Sequence, residues 1–462
     1  MEKRIIKNKP ELQLDSQKAG IDIGSKSVFV CISNNLKEQE VKEFPFFTKD
    51  IISLGNWLSS KGVKSIAVES TGIYWQPLFE ILAPFEFELV LCNASHLKNV
   101  PGRKTDIKDA QWIQQLHSAG LLRGSFRPSD TIIPLRTYVR KKKDLSSQVA
   151  RQINLMYKAL REMNIQLDLV LSSTAGKTGL AIIKAIVAGE RNPQKLTSLK
   201  EKNTKVSSEE FEKALQGTWR EEHIFELTVA YELYEYINRQ IVLCEEKIKQ
   251  ALAAVKENIP ENKPNEPMNQ LKQVVAEPKK KVKKNEYNRW ALSFNAIELL
   301  EKKARTDLTA VPGINENTAL VIMAECGVDM SKFPSKKHFS SWLGLAPNHK
   351  ISGGKILDNR TKPSSNRAAQ ALRMSAQALS RTDTWLGAYF RRMRGKLGAP
   401  KAITATAHKI ACLIYRMLKY GISYIELGAE YYEEKYKERL VSGLKKKAAS
   451  LGFELNPLLV LT

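Results

Sequence analysis

The sequence predicts a multidomain protein, α/β at its amino terminus and mostly helical beyond it. Three observations carry that expectation. At 462 residues the chain exceeds one ordinary core and calls for two or three domains. Between Lys18 and about Asn93, short β-rich runs alternate with turns. Past Pro134 the pattern changes to long helical periodicity. The expected organisation is an α/β domain over 1–130, a helical region over 131–257, a basic linker over 258–290, a second helical domain over 291–430 and a helical tail over 431–462.

The runs KAGIDIG, SVFVCIS, VKEFPFF, SIAVES and FELVLCN read as five strands. Helices are predicted from Asp50 to Lys61, Tyr74 to Leu82 and Asp106 to Leu122, which gives the order β-β-β-α-β-α-β-α. That is the order of an RNase H-like (RuvC-like) domain. The helical region opens with the basic segment LRTYVRKKKDLSSQVARQINLMYKALREM. Further on, Ile224, Leu227, Tyr231, Tyr234, Asn238, Ile241, Glu245 and Ile248 repeat at three-and-four spacing. Such a seam predicts a coiled coil, between molecules or within a hairpin, and an ordinary amphipathic helix is the alternative. The stretch NIPENKPNEPMNQLKQVVAEPKKKVKKN has little to form a core and reads as a flexible linker, its lysines a solvated tether or a phosphate-touching arm.

Lysine and arginine number 73 against 49 aspartates and glutamates, a net charge of +24, so polyanions are the natural partners. With 43% hydrophobic and 8% aromatic residues, the charge must decorate folded domains. This favours nucleic-acid processing over simple compaction. The cysteines Cys31, Cys92, Cys244, Cys326 and Cys412 lie far apart, against a zinc site or a disulfide framework and for a reducing cytoplasm. No apolar run approaches the roughly 18 residues of a membrane span, and the charged opening lacks a signal-peptide core. A soluble protein is expected.

Asp22 lies inside the first strand in GIDIG, Glu69 ends the fourth in AVES, and Asp106 and Asp109 open a helix in GRKTDIKDA with Thr105 as its cap. A spacing of three puts the two aspartates on one helical face. In the predicted fold these places converge. Phosphodiester cleavage needs such a cluster, because hard oxygen ligands hold the Mg²⁺ or Mn²⁺ that activates a nucleophile and neutralises charge on the phosphate. The bland alternative is four unrelated surface acids. GIDIGSKS also resembles the phosphate loop of sugar kinases and actin-like ATPases. A second domain of that fold is not predicted, since the half beyond Pro134 is helical and basic.

Residues LTAVPGINENTALVIMAECG read as a helix-hairpin-helix, with Gly313 and Asn315 in a turn that aims backbone N–H groups at a DNA phosphate. Asn315 stands where a second glycine is usual and is expected to take the left-handed conformation; a purely structural hairpin is the alternative. Ser352 precedes Gly353, Gly354 and Lys355 in a loop rich in basic residues, where glycines let the backbone approach a phosphate. From spacing alone a serine there is a turn residue. Arg103, Lys104, Arg136, Arg140, Lys141, Arg367 and Arg373 are candidate nucleic-acid contacts, and the basic stretch continues through Arg381, Arg391, Arg392, Arg394, Lys396 and Lys401 with Trp385, Tyr389 and Phe390 interleaved. Those aromatics serve equally well as core.

The segments GIDIG, ESTGIYW, GRKTDIKDA, GLAP and SGGK resemble those of the insertion-sequence-110 family of transposases. The resemblance implies a DEDD domain and a carboxy-terminal transposase domain joined by a helical coiled coil, in a bacterial cytoplasm. It implies Asp22, Glu69, Asp106 and Asp109 as the metal-binding set and Ser352 as a nucleophile forming a transient phosphoserine link with DNA. It also implies an element-encoded bridge RNA that pairs with donor and target DNA, and a homodimer or homotetramer. The long middle, about Leu171 to Asn285, exceeds what compact members require. The alternatives are a junction-resolving nuclease that uses only the carboxylates, and a non-catalytic nucleic-acid scaffold.

Overall fold

A computed structural model describes residues 14–34, 38–70, 72–93, 105–201, 204, 206–261 and 292–456. The chain divides into two compact units, Met1–Arg127 and Pro128–Thr462. The first is mixed α/β and the second is helical apart from one small hairpin.

In the first unit the strands are β1 (Lys18–Ile23), β2 (Ser27–Ser33), β3 (Gln39–Pro45), β4 (Ser65–Glu69) and β5 (Glu88–Cys92), and the helices are α1 (Thr48–Ser60), α2 (Trp75–Leu82) and α3 (Asp106–Ser118). This reproduces the element order expected from the sequence. Helix α3 stops four residues short of the expected Leu122, where Gly120 takes a left-handed φ of 67° and turns the chain. The sheet runs β3-β2-β1-β4-β5, with β1 antiparallel to β2 and parallel to β4.

Strand alternation sorts the two faces of that sheet. Ile21, Ile23, Val28, Val30, Ile66, Val68 and Leu91 face α1 and α2, meeting Ile51, Leu54, Leu58, Leu78, Phe79 and Leu82 in the larger core. The opposite face is smaller-grained. There Ala67 and Cys92 meet Ile113 and Leu116 of α3. Burying a leucine or phenylalanine on either face contributes about 1.5–3 kcal/mol, so the larger core dominates the stability of this unit.

The second unit begins with α4 (Ile133–Glu162). A small insertion follows, containing α5 (Lys177–Val187) and α6 (Ser208–Ala214) around buried Ile182, Ile183, Leu196 and Phe211. Helix α7 (Glu221–Ala254) then returns along α4. The pair is antiparallel: Lys142 near the start of α4 binds Glu245 near the end of α7, while Lys158 near the end of α4 reaches Glu226 near the start of α7. Of the expected seam, Leu227, Tyr234, Glu245 and Ile248 are buried, whereas Ile224, Tyr231, Asn238 and Ile241 are only half-buried. Ala230, Ile237, Cys244 and Ala251 complete the buried line. The small side chains of Ala230, Cys244 and Ala251 let the two helices approach, and Ile237 lies on the same line, one turn from Tyr234.

The expected linker does not begin at Asn258. That residue is buried, and its amide donates to the Ala304 and Leu418 carbonyls. The rest of the linker, from residue 262, lies outside the described residues. Beyond it come α8 (Ala296–Ala304), α9 (Glu316–Cys326), α10 (Lys336–Trp342), the hairpin strands β6 (Lys350–Ser352) and β7 (Lys355–Asp358), α11 (Arg367–Ala378), α12 (Trp385–Leu397), α13 (Ala399–Tyr420) and α14 (Gly428–Ser450). Helix α13 is the spine. Ala402, Ala407, Ile410, Ile414 and Leu418 are buried at helical spacing, and α10, α11 and α12 pack around it.

Candidate active site

Asp22 and Glu69 stand side by side at the carboxyl ends of β1 and β4. The parallel register pairs Ile21 with Val68, and the next position on each strand is an acid. By alternation both carboxylates project to the α3 face, as do Gly20 and Ala67 before them. Thr105 caps α3, its hydroxyl accepting from the Lys108 N–H at 3.4 Å, as the sequence predicts. Asp106 and Asp109 occupy the first turn, where the positive end of the helix dipole favours acidic groups.

Gly20 is what lets α3 lie so close to the sheet. A Cβ there would stand 2.3 Å from the Gln114 backbone nitrogen and 2.7 Å from the Ala110 carbonyl oxygen. Gln114 is fully buried and its side-chain amide donates to the Lys18 carbonyl, which fastens the same helix along β1. His117, one turn on, meets the Ser65 hydroxyl at 2.9 Å. The sequence reading missed all three. A glycine two residues before the strand aspartate, and so on its face, is the signal that could have found Gly20.

The electrostatics report the convergence. The Asp22 carboxyl is pushed up to about 6, first by burial and then by the charges of Asp109, Asp106 and Glu69. Each neighbour penalises the charged form, so the group is poised to gain from a cation. All four donors are hard carboxylate oxygens, a set that fits Mg²⁺ or Mn²⁺. They are more loosely spaced than a closed cage. Among the described residues, three donor atoms within 4.8 Å of one another occur instead at Glu162, His223 and Glu226, in the second unit.

Ser352 ends β6 and pairs with Lys355 across a two-residue turn. Gly353 and Gly354 have φ of 53° and 74°, the left-handed pair that a tight primed hairpin turn demands. The expected loop is therefore a β-hairpin. Its residues are exposed, Ile351, Ile356 and Leu357 at 64, 58 and 70%. No hydrogen bond from the Ser352 hydroxyl is seen among the described residues. Lys355 is exposed beside it.

Three expectations change. Asn315 is extended, with φ of −104°, and does not take the left-handed conformation. Its side chain caps α9 by accepting from the Thr318 N–H at 2.9 Å, a role asparagine fills as well as a turn. Gly313 does have positive φ, and a Cβ there would stand 2.7 Å from the Ser375 carbonyl oxygen, so the turn is packed on α11. Arg136 and Arg140 are engaged within the chain. Both pair with buried Glu325, Arg140 through two hydrogen bonds of 2.8 and 2.7 Å, and Arg136 also donates to the Glu325 carbonyl.

Lys141 is exposed, whereas its neighbour Lys142 is buried against Glu245. Arg367 has a buried Nη1 without a hydrogen-bond partner, at the start of α11, and Arg373 donates to the Gly344 carbonyl at 3.3 Å. Of the interleaved aromatics, Phe390 is core and Tyr389 packs edge-on against Tyr432. Arg103 and Lys104 lie outside the described residues.

Two family profiles match this chain. Residues 19–165 match one described as a transposase of the DEDD type, and residues 305–391 match one described as the transposase IS116/IS110/IS902 family. Together they span about half of the chain. The chain belongs to the IS110 family of transposases. All four carboxylates fall within the first match, and Ser352, Gly353, Gly354, Arg367 and Arg373 within the second. The chain is also similar to the uncharacterized 43.6 kDa protein of insertion element IS110 from Streptomyces coelicolor, 32% identical over 120 residues. That match spans 25% of this chain and 29% of the relative. The family implies use of a divalent metal. No helix among the described residues is long and apolar enough to cross a membrane.

Proposed function

We propose that this IS110-family protein is a DNA transposase that cleaves and rejoins strands through a metal-binding carboxylate centre and a serine nucleophile. The observation that carries the reading is the convergence on Asp22, where burial first and then the charges of Asp109, Asp106 and Glu69 raise its proton affinity to about 6. The sheet order, with acids at the ends of β1 and β4 and at the start of α3, is that of RNase H-like nucleases. Asp22, Glu69, Asp106 and Asp109 would hold one or two Mg²⁺ ions, which supply nucleophile activation and charge neutralisation at the phosphate.

Ser352 fits the nucleophile because it stands at the tip of an exposed basic hairpin. Its Oγ–phosphorus bond forms as a phosphorus–oxygen bond of the DNA backbone breaks, releasing a DNA hydroxyl end and giving the serine proton to a base or solvent. Attack by a DNA hydroxyl on the phosphoserine reverses these changes and restores the diester, so no external energy source is consumed. The net charge of +24 suits a partner set of donor DNA, target DNA and a bridge RNA that chooses sites by base pairing. Assembly as a dimer or tetramer in the bacterial cytoplasm completes the reading.

The test is strand cleavage of element-end DNA by the full chain with the transcript that flanks its gene. Cleavage in Mg²⁺ that EDTA abolishes and that needs the transcript is expected. Binding without scission under those conditions would contradict the reading and leave a scaffold.

A further inference from the structure

Where α4 and α7 meet beside the small helical insertion, three metal-binding side chains converge far from the carboxylate set in sequence. Glu162 closes the last turn of α4, and His223 and Glu226 lie in the first turns of α7. A spacing of three puts the histidine and glutamate on one face, and the antiparallel packing brings Glu162 opposite. One donor atom from each lies within 4.8 Å of the others.

The imidazole is the informative member. Its Nδ1 is shut off from solvent and has no hydrogen-bond partner. It stands 3.5 Å from a Glu162 oxygen and 3.8 Å from a Glu226 oxygen. Those separations are too long for good hydrogen bonds. They approach instead the edge, about 3.3 Å, of a tetrahedron built on metal–ligand bonds of about 2.0–2.1 Å. A positive charge already sits there: Lys158 Nζ is 3.3 Å from Glu162 and 4.0 Å from Glu226. Its side chain is 58% exposed and can leave toward solvent.

We propose that Glu162, His223 and Glu226 form a binding site for a first-row transition-metal dication of the zinc class, which fastens α4 to α7 at the base of the insertion. One imidazole and two carboxylates leave a fourth position for water. A mixed nitrogen and oxygen set prefers Zn²⁺, Co²⁺ or Ni²⁺ to Mg²⁺, so this site differs in chemistry from the all-oxygen set around Asp22. The cation displaces Lys158 from the two carboxylates and binds through the imidazole lone pair.

The experiment is titration of the metal-stripped full chain with Zn²⁺ by calorimetry and with Co²⁺ by visible absorption, each paired with thermal melting. A site that raises the melting temperature, survives Asp22→Asn and disappears in His223→Ala is expected. Glu226→Gln, at a half-exposed position, should weaken binding at least about tenfold, and it carries the test if His223→Ala folds poorly. Lys158→Met should tighten binding severalfold by removing the competing charge, an effect a purely structural ion-pair network would not show. Equal Zn²⁺ isotherms for wild type, His223→Ala and Glu226→Gln would overturn the proposal.

Discussion

The carboxylate centre and the serine hairpin are built in opposite ways. Asp22 and Glu69 stand on a five-stranded sheet packed on both faces, and Asp106 and Asp109 are brought to them by a helix seated directly on Gly20. Ser352 stands on two short strands that are exposed but for half-buried Asp358, and among the described residues a Cβ at either turn glycine would meet nothing within 4 Å. The first region is rigid because it must hold four like charges at fixed spacing, which only a packed scaffold tolerates. The second is open, and under the proposed function that openness would let Ser352 reach a phosphate, since an isolated two-stranded hairpin is marginally stable without a partner.

Four changes sharpen or break that contrast. Asp22→Asn should lower strand cleavage by about 10³-fold or more, since it removes a ligand from the charge-neutralising set; single-turnover rates in Mg²⁺ read it. Glu325→Ala should cost about 3 kcal/mol in a denaturant melt of the second unit, because it leaves Arg136 buried without its carboxylate. Gly20→Ala should lower cleavage by about 10²-fold and stability by about 1–3 kcal/mol, through displacement of α3 from β1. Equal rates for Gly20→Ala and wild type would mean that α3 does not position the site.

The fourth concerns pH. Asp22 titrates near 6 in the folded protein against an ordinary 3.8, so the unfolded chain loses that proton first. Stability of the metal-free protein therefore falls as pH rises from about 4 to 6, and the penalty is complete above that. Asp22→Asn removes it. After allowance for solvent screening of a partly exposed group, the variant should gain about 1–2 kcal/mol at pH 8 and nothing at pH 4, read by melting in EDTA. Ser352→Ala should change stability by less than about 0.5 kcal/mol at either pH.

Much of the first unit was legible in the sequence because its signals are local. Period-two runs mark the strands, Thr105 and the aspartates mark a helix start, and an acid inside an apolar strand is conspicuous. What was illegible depends on remote partners. Gly20 is explained by Gln114, Gly313 by Ser375, and Arg136 and Arg140 by Glu325, none of which is near in sequence. Asn315 had two local roles, turn or cap, and only the start of α9 at Glu316 chose between them. The basic run around Arg136 read as a nucleic-acid surface because charge pattern alone does not reveal a buried glutamate elsewhere.

The most direct test of the account is covalent trapping. Full chain, Mg²⁺, element-end DNA and the flanking transcript are incubated, denatured and resolved for a protein-linked DNA band. The account predicts a band that disappears with Ser352→Ala and also with Asp22→Asn. Cleaved DNA with no protein-linked band would contradict it, leaving Ser352 a turn residue and the carboxylates a hydrolytic, junction-resolving centre.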